Sequence, residues 1–308
     1  MQQLDALRAN IQSVFLGNRQ AVDRVLTCLV AAGHILIEDV PGVGKTTLAV
    51  ALAKSIDATL ARVQMTPDML PADVLGVTVW DQKQSDFVFK PGPIFHNIVL
   101  ADEVNRTTPR TQSALLEAMN EGQVSIDGVT RRLVEPFIVI ATQNPFEFEG
   151  TYFLPESQLD RFLMRLKLGY PAPADEARIL RLDPHRRALA DLKPVMTAND
   201  LVGFQREAER VEIDPALYEY IVAIADHTRH NDQLQLGVSP RGAMALVHAA
   251  KATAYLHGRD YAVPEDITSN VLAVFTHRVV PRAHASDPTG VSAQRIVQQT
   301  LESIPSPV

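Results

Sequence analysis

The amino-acid sequence predicts an α/β domain with a parallel central sheet, followed by a smaller all-helical domain. In the first half of the chain, short segments that are apolar throughout alternate with helical periods, which is typical of parallel strands covered on both faces. A glycine-rich turn at residues 39–47 lies between one such strand and a helix. After about residue 171 only helical periods remain, and prolines mark the change.

The composition is that of a folded protein with one or two cores. Of the 308 residues, 46% are hydrophobic, and no apolar run approaches the roughly 20 residues that span a bilayer, so membrane insertion is not expected. The net charge of −7 argues against a nucleic-acid partner, because phosphate binding usually needs a basic surface. A single cysteine, Cys28, and an N-terminus without a signal-peptide pattern favour the cytoplasm.

Local patterns predict the elements of the α/β domain. Asn18 is a suitable N-cap for a helix that reaches about residue 31, because apolar residues recur behind it at helical spacing. A second helix is predicted directly after the glycine-rich turn. We predict the strands at 34–38, 98–101 and 137–142, and the second helix at 48–56.

Two insertions interrupt the alternation of strands and helices. Residues 86–95, approximately, form an aromatic stretch punctuated by glycine and proline. Residues 123–134 alternate in polarity around Asp127-Gly128, which is the strongest short signal for a β-hairpin.

Residues 173–194 are predicted to connect the α/β domain, residues 1–172, to the helical domain, residues 195–308. Prolines punctuate this connection, which still has room for a short helix near residues 175–182. The helical periods of the second domain lie at 199–210, 215–229, 240–257, 264–277 and 291–303.

The glycine-rich turn carries the strongest chemical signal. Gly42 and Gly44 let backbone N–H groups face phosphate oxygens at a helix N-terminus, Lys45 adds a positive charge, and the Thr46 hydroxyl is a ligand for Mg²⁺. A bland alternative is a flexible turn before a helix, but the strand and helix on either side match the context that a phosphate loop requires. The sequence therefore predicts ATP and Mg²⁺ as cofactors. The predicted nucleotide-binding residues of the loop are Val40, Pro41, Gly42, Val43, Gly44, Lys45, Thr46 and Thr47.

One position departs from the phosphate-loop pattern. Asp39 lies where the motif G-x-x-x-x-G-K-[ST] begins with glycine. That position shapes the start of the loop, so the prediction of ATP binding stands.

Polar residues at the ends of the other two strands could complete the site. Asp102 would hold Mg²⁺ and Glu103 would activate the attacking water. The alternative for this pair is a polar strand terminus or a helix cap. Asn144 could hydrogen-bond the γ-phosphate or orient the water, although asparagine before proline is also a common turn former.

Seven stretches, in this order and over nearly the whole chain, resemble the MoxR family of AAA+ ATPases. The resemblance implies an AAA+ three-layer αβα domain followed by a helical lid domain. It also implies that Asp39 is tolerated in the phosphate loop. The matching stretches are 38–47, 64–76, 89–95, 101–119, 141–146, 154–162 and 237–242.

The resemblance implies roles for two residues that spacing alone does not assign. Asn144 matches the sensor-1 position, and Arg161 matches the arginine finger that completes the ATP site of a neighbouring subunit. A forked, permanently charged guanidinium suits that task. Without the family match, an ion pair of Arg161 with Asp160 or Glu156 would be the simpler interpretation.

Further matches concern the lid and the insertions. Arg241 matches the sensor-2 arginine, which could act on its own subunit or on a neighbour, and Phe15 and Gly17 lie in a segment similar to the one that packs against adenine. The insertions match the helix-2 insert and the pre-sensor-1 hairpin, which face the axial channel or the client. Three phenylalanines of the first insertion are candidate client contacts, with ordinary core packing as the alternative for each: Phe87, Phe89 and Phe95.

We therefore expect an ATPase that acts as a ring, a hexamer by resemblance, and remodels or matures protein clients. The resemblance also suggests a partner with a von Willebrand factor A-domain. One alternative is a nucleotide-gated scaffold, in which ATP binding rather than turnover organises a complex. Another is a related motor, such as a magnesium-chelatase-like subunit or a relative that works on nucleic acid.

Overall fold

The computed structural model describes residues 2–145, 151–182, 188–282 and 291–307. Residue 146 of the stretch 141–146 and residues 183–187 of the predicted connection lie outside these ranges. The helices are α1 Gln2–Val14, α2 Arg19–Val30, α3 Lys45–Ser55, α4 Pro71–Leu75, α5 Pro109–Glu121, α6 Glu156–Leu159, α7 Pro173–Leu182, α8 Ala188–Asp191, α9 Ala198–Glu209, α10 Pro215–Arg229, α11 Pro240–Leu256, α12 Pro264–Phe275 and α13 Val291–Ser303. The strands are β1 Ile35–Glu38, β2 Leu60–Gln64, β3 Gly76–Asp81, β4 Asp86–Pro91, β5 Ile98–Asp102, β6 Gln123–Ile126, β7 Val129–Arg132, β8 Ile138–Gln143, β9 Met164–Leu166, β10 Leu234–Leu236 and β11 Val280–Pro281.

Five parallel strands form the central sheet in the order β2-β5-β8-β1-β9. The three predicted strands correspond to β1, β5 and β8, which occupy the middle of the sheet and are buried along nearly their whole length. The outer strands β2 and β9 were not predicted, because β2 is mostly half-exposed and β9 has only three residues.

Side chains from the two faces of the sheet enter two separate clusters. Ile35 and Ile37 of β1 pack into the larger cluster, which also contains residues of α1, α2 and α3. Leu36, between them, points to the other face and joins the cluster that includes Leu115 and Leu116 of α5. Helices therefore cover both faces, and the predicted three-layer αβα fold is confirmed.

Both insertions are antiparallel hairpins. Strands β6 and β7 pair around Asp127 and Gly128, whose φ angles of 52° and 76° suit a two-residue hairpin turn, so this prediction is confirmed. The aromatic stretch is one strand of a second hairpin, β3–β4. Its first strand was not predicted, and the insertion therefore begins earlier than residue 86.

The second domain contains the predicted helices, with ends that differ by no more than about two residues from the expected ones. Its description as all-helical needs one correction, because β10 and β11 form a short antiparallel pair. Helix α2 packs against α9 and α11, and residues of both domains belong to one buried cluster. Among the described helices, none combines the length and the apolar content needed to cross a bilayer. The domain boundaries themselves stay predictions.

Candidate functional site

The phosphate loop joins the carboxyl end of β1 to the N-terminus of α3. Gly42 and Gly44 have φ angles of 86° and 92°, a left-handed conformation that side chains other than glycine adopt only with strain. Gly44 is also the N-cap of α3 and offers no side chain to cap the helix. The N–H groups of the loop and of the first helical turn therefore form a cradle suited to an anion.

A cavity of about 220 Å³ opens above this loop, at the carboxyl edge of the sheet. It brings together the predicted phosphate-binding, magnesium-binding and water-activating residues from three different strand ends. It is lined by Pro41, Gly42, Gly44, Lys45, Thr46, Thr47, Arg62, Gln64, Asp102, Glu103, Thr142 and Asn144. Of the other predicted loop residues, Val43 lines a neighbouring cavity and Val40 packs against the larger hydrophobic cluster.

Lys45 is the main positive charge of the loop. Its ammonium donates a hydrogen bond to the backbone carbonyl of Asp39. Burial lowers the pKa of Lys45, while the carboxylates around it, those of Asp39, Asp102 and Glu103 above all, act to raise that pKa. Acidic neighbours thus favour the charged ammonium at the place where phosphate oxygens would lie.

Asp102 ends β5 and is mostly buried. Its Oδ2 accepts from Arg62 Nε at 2.7 Å, and its Oδ1 accepts from the Thr142 hydroxyl at 3.0 Å. The carboxylate of Asp102 and the hydroxyl of Thr46 line the same cavity. Both supply hard oxygen donors, which fit the ligand preference of Mg²⁺.

Glu103 follows in a left-handed backbone conformation, with φ 58° and ψ 51°. Its N–H donates to the Thr142 hydroxyl at 3.0 Å, and its carboxylate accepts from Gln64 at 2.7 Å and from Arg106 at 3.0 Å. A residue other than glycine in this conformation costs roughly 1–3 kcal/mol, and such strain clusters at functional sites. Glu103 lines the phosphate cavity in this conformation.

Three residues of this network were missed from the sequence. Arg62 and Gln64 belong to β2, which was not predicted, so nothing pointed to their position beside the strand ends. Thr142 had an available signal, since it lies two residues before Asn144 in a strand whose carboxyl end was already assigned to the site. Its hydroxyl bridges Asp102 and the backbone of Glu103.

A second, smaller cavity of about 70 Å³ adjoins the phosphate loop. Phe15 and Gly17 line it, as do Gly42 and Gly44, which also line the phosphate cavity. A Cβ added at Gly17 would lie 2.7 Å from the Phe15 ring, so a side chain at this position would displace the ring. The mainly apolar lining suits a nucleobase whose phosphates occupy the larger cavity.

Arg161 and Arg241 lie elsewhere, at the amino end of β1. Together they line a cavity of about 320 Å³ that also includes Gly33 and His34, which immediately precede the strand. The four residues of β1 alone span about 13 Å. Neither arginine lines the phosphate cavity of its own chain.

The contacts of the two arginines are with helix α5. A guanidinium N–H of Arg161 donates to the carbonyl of Leu116, while its Nε is buried without a hydrogen-bond partner. The guanidinium of Arg241 donates to the side-chain carbonyl of Asn120. Neither bond is to a carboxylate.

Arg161 does not form the ion pair with Asp160 that the simpler interpretation predicts. The carboxylate of Asp160 has other partners. It accepts from Arg278 Nε at 2.7 Å and from the Ser239 hydroxyl at 3.1 Å. Arg278 is almost fully buried and also donates to the carbonyl of Phe162 at 2.6 Å. The segment that carries Arg161 is therefore bound to the helical domain through Asp160 and Phe162 on either side of it.

Known proteins match both domains. Residues 34–164 match the model of the ATPase family associated with various cellular activities (AAA), and residues 226–300 match the AAA lid domain. The chain is 36% identical to the chaperone MoxR1 of Mycobacterium tuberculosis, over 96% of this chain and 80% of that protein. It is 50% identical to the uncharacterised protein YeaC of Bacillus subtilis, over 97% of this chain and 93% of that one.

A solved structure agrees with the fold over the full length. A crystal structure of a protein from Cytophaga hutchinsonii, provisionally described as an ATPase, superposes with a TM-score of 0.91 and is 35% identical. The superposition covers 100% of this chain and 96% of the other.

Proposed function

Because this chain belongs to the MoxR family of AAA+ ATPases, we propose that it hydrolyses ATP with Mg²⁺ at sites shared between neighbouring subunits of a ring. The observation that carries this proposal is the separation of two charged clusters. The phosphate cavity lies at the carboxyl end of β1, whereas Arg161 and Arg241 share a cavity at the amino end. A second copy of the chain can bring the two together, and one copy alone does not.

The carboxyl edge supplies the groups for binding and hydrolysis. Lys45 and the loop N–H groups bind the phosphates, and Thr46 and Asp102 hold Mg²⁺, which neutralises phosphate charge. Glu103 takes the proton of the attacking water, and Asn144 orients that water or the γ-phosphate. The two hydrogen bonds of the Thr142 hydroxyl keep Asp102 and Glu103 in position.

The amino edge supplies positive charge to the neighbour. Arg161 acts as the arginine finger, and Arg241 acts on the same neighbouring site rather than on its own, because both line one cavity. The hydrogen bond of Arg161 supports this role, because it is made to the neutral carbonyl of Leu116 and leaves the charge of the guanidinium unpaired beside the cavity.

ATP turnover in this ring, which we take to be a hexamer in the cytoplasm, drives the remodelling or maturation of protein clients. The name chaperone MoxR1 of the mycobacterial relative supports a client-directed role. The two hairpins are the candidate contact surface for the client or for a partner with a von Willebrand factor A-domain. Phe87 is 66% exposed and makes an edge-to-face contact with the exposed Trp80. Phe89 and Phe95 make an edge-to-face contact with each other and are partly buried.

Mixing two inactive variants tests the shared site. Arg161→Ala leaves the phosphate cavity of its subunit intact, and Glu103→Gln leaves the finger intact. In a ring assembled from an equal mixture, about a quarter of the interfaces pair an intact cavity with an intact finger. We expect ATPase activity to return in the mixture to about that fraction of wild type.

The control is the double variant Arg161→Ala/Glu103→Gln, mixed with either single variant, which should stay inactive. Activity in the Arg161→Ala variant alone, equal to wild type, would contradict the proposal. So would a wild-type specific activity that does not change on dilution to clearly monomeric protein. If an added client leaves the wild-type ATPase rate unchanged while complexes still form, the scaffold alternative is favoured.

A further inference from the structure

Asp39 lies where the phosphate-loop motif begins with glycine, and ATP hydrolysis between subunits does not explain this departure. The backbone of Asp39 makes two bonds: its N–H donates to the carbonyl of Gln143 at 3.2 Å, and its carbonyl accepts from the Lys45 ammonium. A glycine could make both bonds equally well. The reason for an aspartate must therefore be its carboxylate.

The carboxylate accepts three backbone hydrogen bonds. Oδ1 accepts from the N–H of Val40 at 2.8 Å, within the loop itself. Oδ2 accepts from the N–H groups of Leu168 and Gly169, each at 2.7 Å. These two residues follow β9 and are about 130 positions away in sequence, so one side chain joins the phosphate loop to a distant segment.

That segment forms a wall of the smaller cavity beside the loop. Gly169 and Pro171 line the cavity together with Phe15 and Gly17. Gly169 has a φ angle of 70°, so the chain turns sharply there before α7 begins. The pairing of β9 with β1 ends at Leu166, and beyond it the Asp39 carboxylate joins this wall to the phosphate loop.

We propose that Asp39 is a positioning residue for the adenosine part of ATP. Its carboxylate holds Leu168 and Gly169 against the phosphate loop and so sets the affinity for the base, with no part in phosphoryl transfer. This inference rests on the proposed ATP-dependent function. Without the carboxylate, the N–H groups of Leu168 and Gly169 lose a charged acceptor, and the wall can move away from the loop.

Calorimetric titration of the full chain with two probes, in the presence of Mg²⁺, tests this role. ATP fills both cavities, whereas inorganic tripolyphosphate fills only the phosphate cavity. Asp39→Gly makes the loop match the usual motif and removes a charge beside Lys45, which should affect both probes alike. We expect it to weaken ATP binding about tenfold more than it weakens tripolyphosphate binding.

Two further variants serve as controls. Asp39→Asn also removes the charge but keeps one side-chain carbonyl oxygen, so its loss of ATP affinity relative to tripolyphosphate should be smaller than that of Asp39→Gly. Asp232→Gly changes an exposed aspartate in the helical domain and should bind both probes as wild type does. If Asp39→Gly does not fold, ATP binding and tripolyphosphate binding are compared in Asp39→Asn instead.

Equal weakening of both probes would overturn the inference, because Asp39 would then act through the phosphate loop alone. Unchanged binding of both probes in Asp39→Gly would also overturn it, while the proposed function would stand. A wild-type chain that binds tripolyphosphate but not ATP would contradict both.

Discussion

The two ends of the central sheet carry two different clusters of charged residues. At the carboxyl end, acidic and hydroxyl groups are already bonded to one another: Thr142 joins Asp102 to the backbone of Glu103. At the amino end, Arg161 and Arg241 line a shared cavity, and their bonds are to carbonyl oxygens rather than to carboxylates.

The two ends therefore differ in how many of their charged groups are already paired within the chain. The carboxyl end is a connected network with its geometry set inside one chain. At the amino end, Arg161 and Arg241 line an open cavity and bond only neutral carbonyl oxygens through their side chains, so their charges can serve an anion from outside the chain. The following changes separate the contributions of the two ends.

Arg161→Ala should have the largest effect and acts on the amino end alone. We expect kcat for ATP hydrolysis to fall by about 10³- to 10⁵-fold, because a finger stabilises the charge of the transferring phosphoryl group. ATP binding to the subunit's own phosphate cavity should be retained. Steady-state ATPase rates and nucleotide binding measure the two effects.

Arg206→Ala, at an exposed position of α9, is the matched control and should keep wild-type turnover. If Arg161→Ala lost nucleotide binding to the same extent as turnover, the division between the two ends would be wrong.

Glu103→Gln acts on the carboxyl end alone. The amide keeps an oxygen that can accept from Gln64 and Arg106 but is too weak a base to take a proton from water, so kcat should fall by about 10²- to 10⁴-fold. Nucleotide binding, measured by calorimetry, should persist. Near-normal hydrolysis in this variant, with the exposed Glu121→Gln as control, would exclude Glu103 as the base.

Low pH should lower the free energy of unfolding through protonation of His34, which lies at the amino end of β1. Its Nε2 bonds to the carbonyl of Met119, and its Nδ1 accepts from the N–H of Val139. Burial, with a smaller contribution from the nearby Arg241 charge, lowers the pKa of His34 to about 4, against an ordinary value of 6.5. The unfolded chain therefore binds this proton at a higher pH than the folded chain does.

Stability from His34 is consequently complete above about pH 6.5 and is lost as the pH falls toward 4, a change of about 3 kcal/mol in the free energy of unfolding. Urea unfolding of wild type and of His34→Gln at a series of pH values measures it. Glutamine can donate and accept but does not titrate in this range. Equal acid sensitivity of the two proteins would show that His34 does not contribute.

Thr142→Val should have the smallest effect and sharpens the view of the carboxyl end as a network. The hydroxyl that bonds Asp102 and Glu103 is lost without much change of shape, and kcat should fall roughly tenfold. Thr142→Ser keeps the hydroxyl and should restore most of the rate. If valine and serine behaved alike, the hydroxyl would have no part in positioning the two acids.

The carboxyl end was largely predictable from the sequence. Asp102, Glu103 and Asn144 follow apolar segments that could only be central parallel strands, and the carboxyl ends of such strands meet at one edge. Arg62 was not predictable in the same way. Its strand lies at the edge of the sheet and is half-exposed, so it lacks the continuous apolar pattern that marked the others.

The position of Arg241 is a result of packing between domains, which no local pattern records. The family resemblance left open whether it serves its own subunit or a neighbour. Its distance from the phosphate loop depends on how α11 packs on α2, a contact between residues far apart in sequence. The contacts of Asp39 with Leu168 and Gly169 were hidden for the same reason.

One buried cluster runs from α1 and α2 into α9 and α11. It limits the exchange of the helical domain between related proteins. A helical domain taken from another family member would pack poorly on the apolar faces of α1 and α2. Each 100 Å² of apolar surface left unburied would lower the free energy of unfolding by about 2.5 kcal/mol. Substitutions on the two sides of this core should therefore change together in related sequences. The helical domain is not a part that recombination can exchange freely.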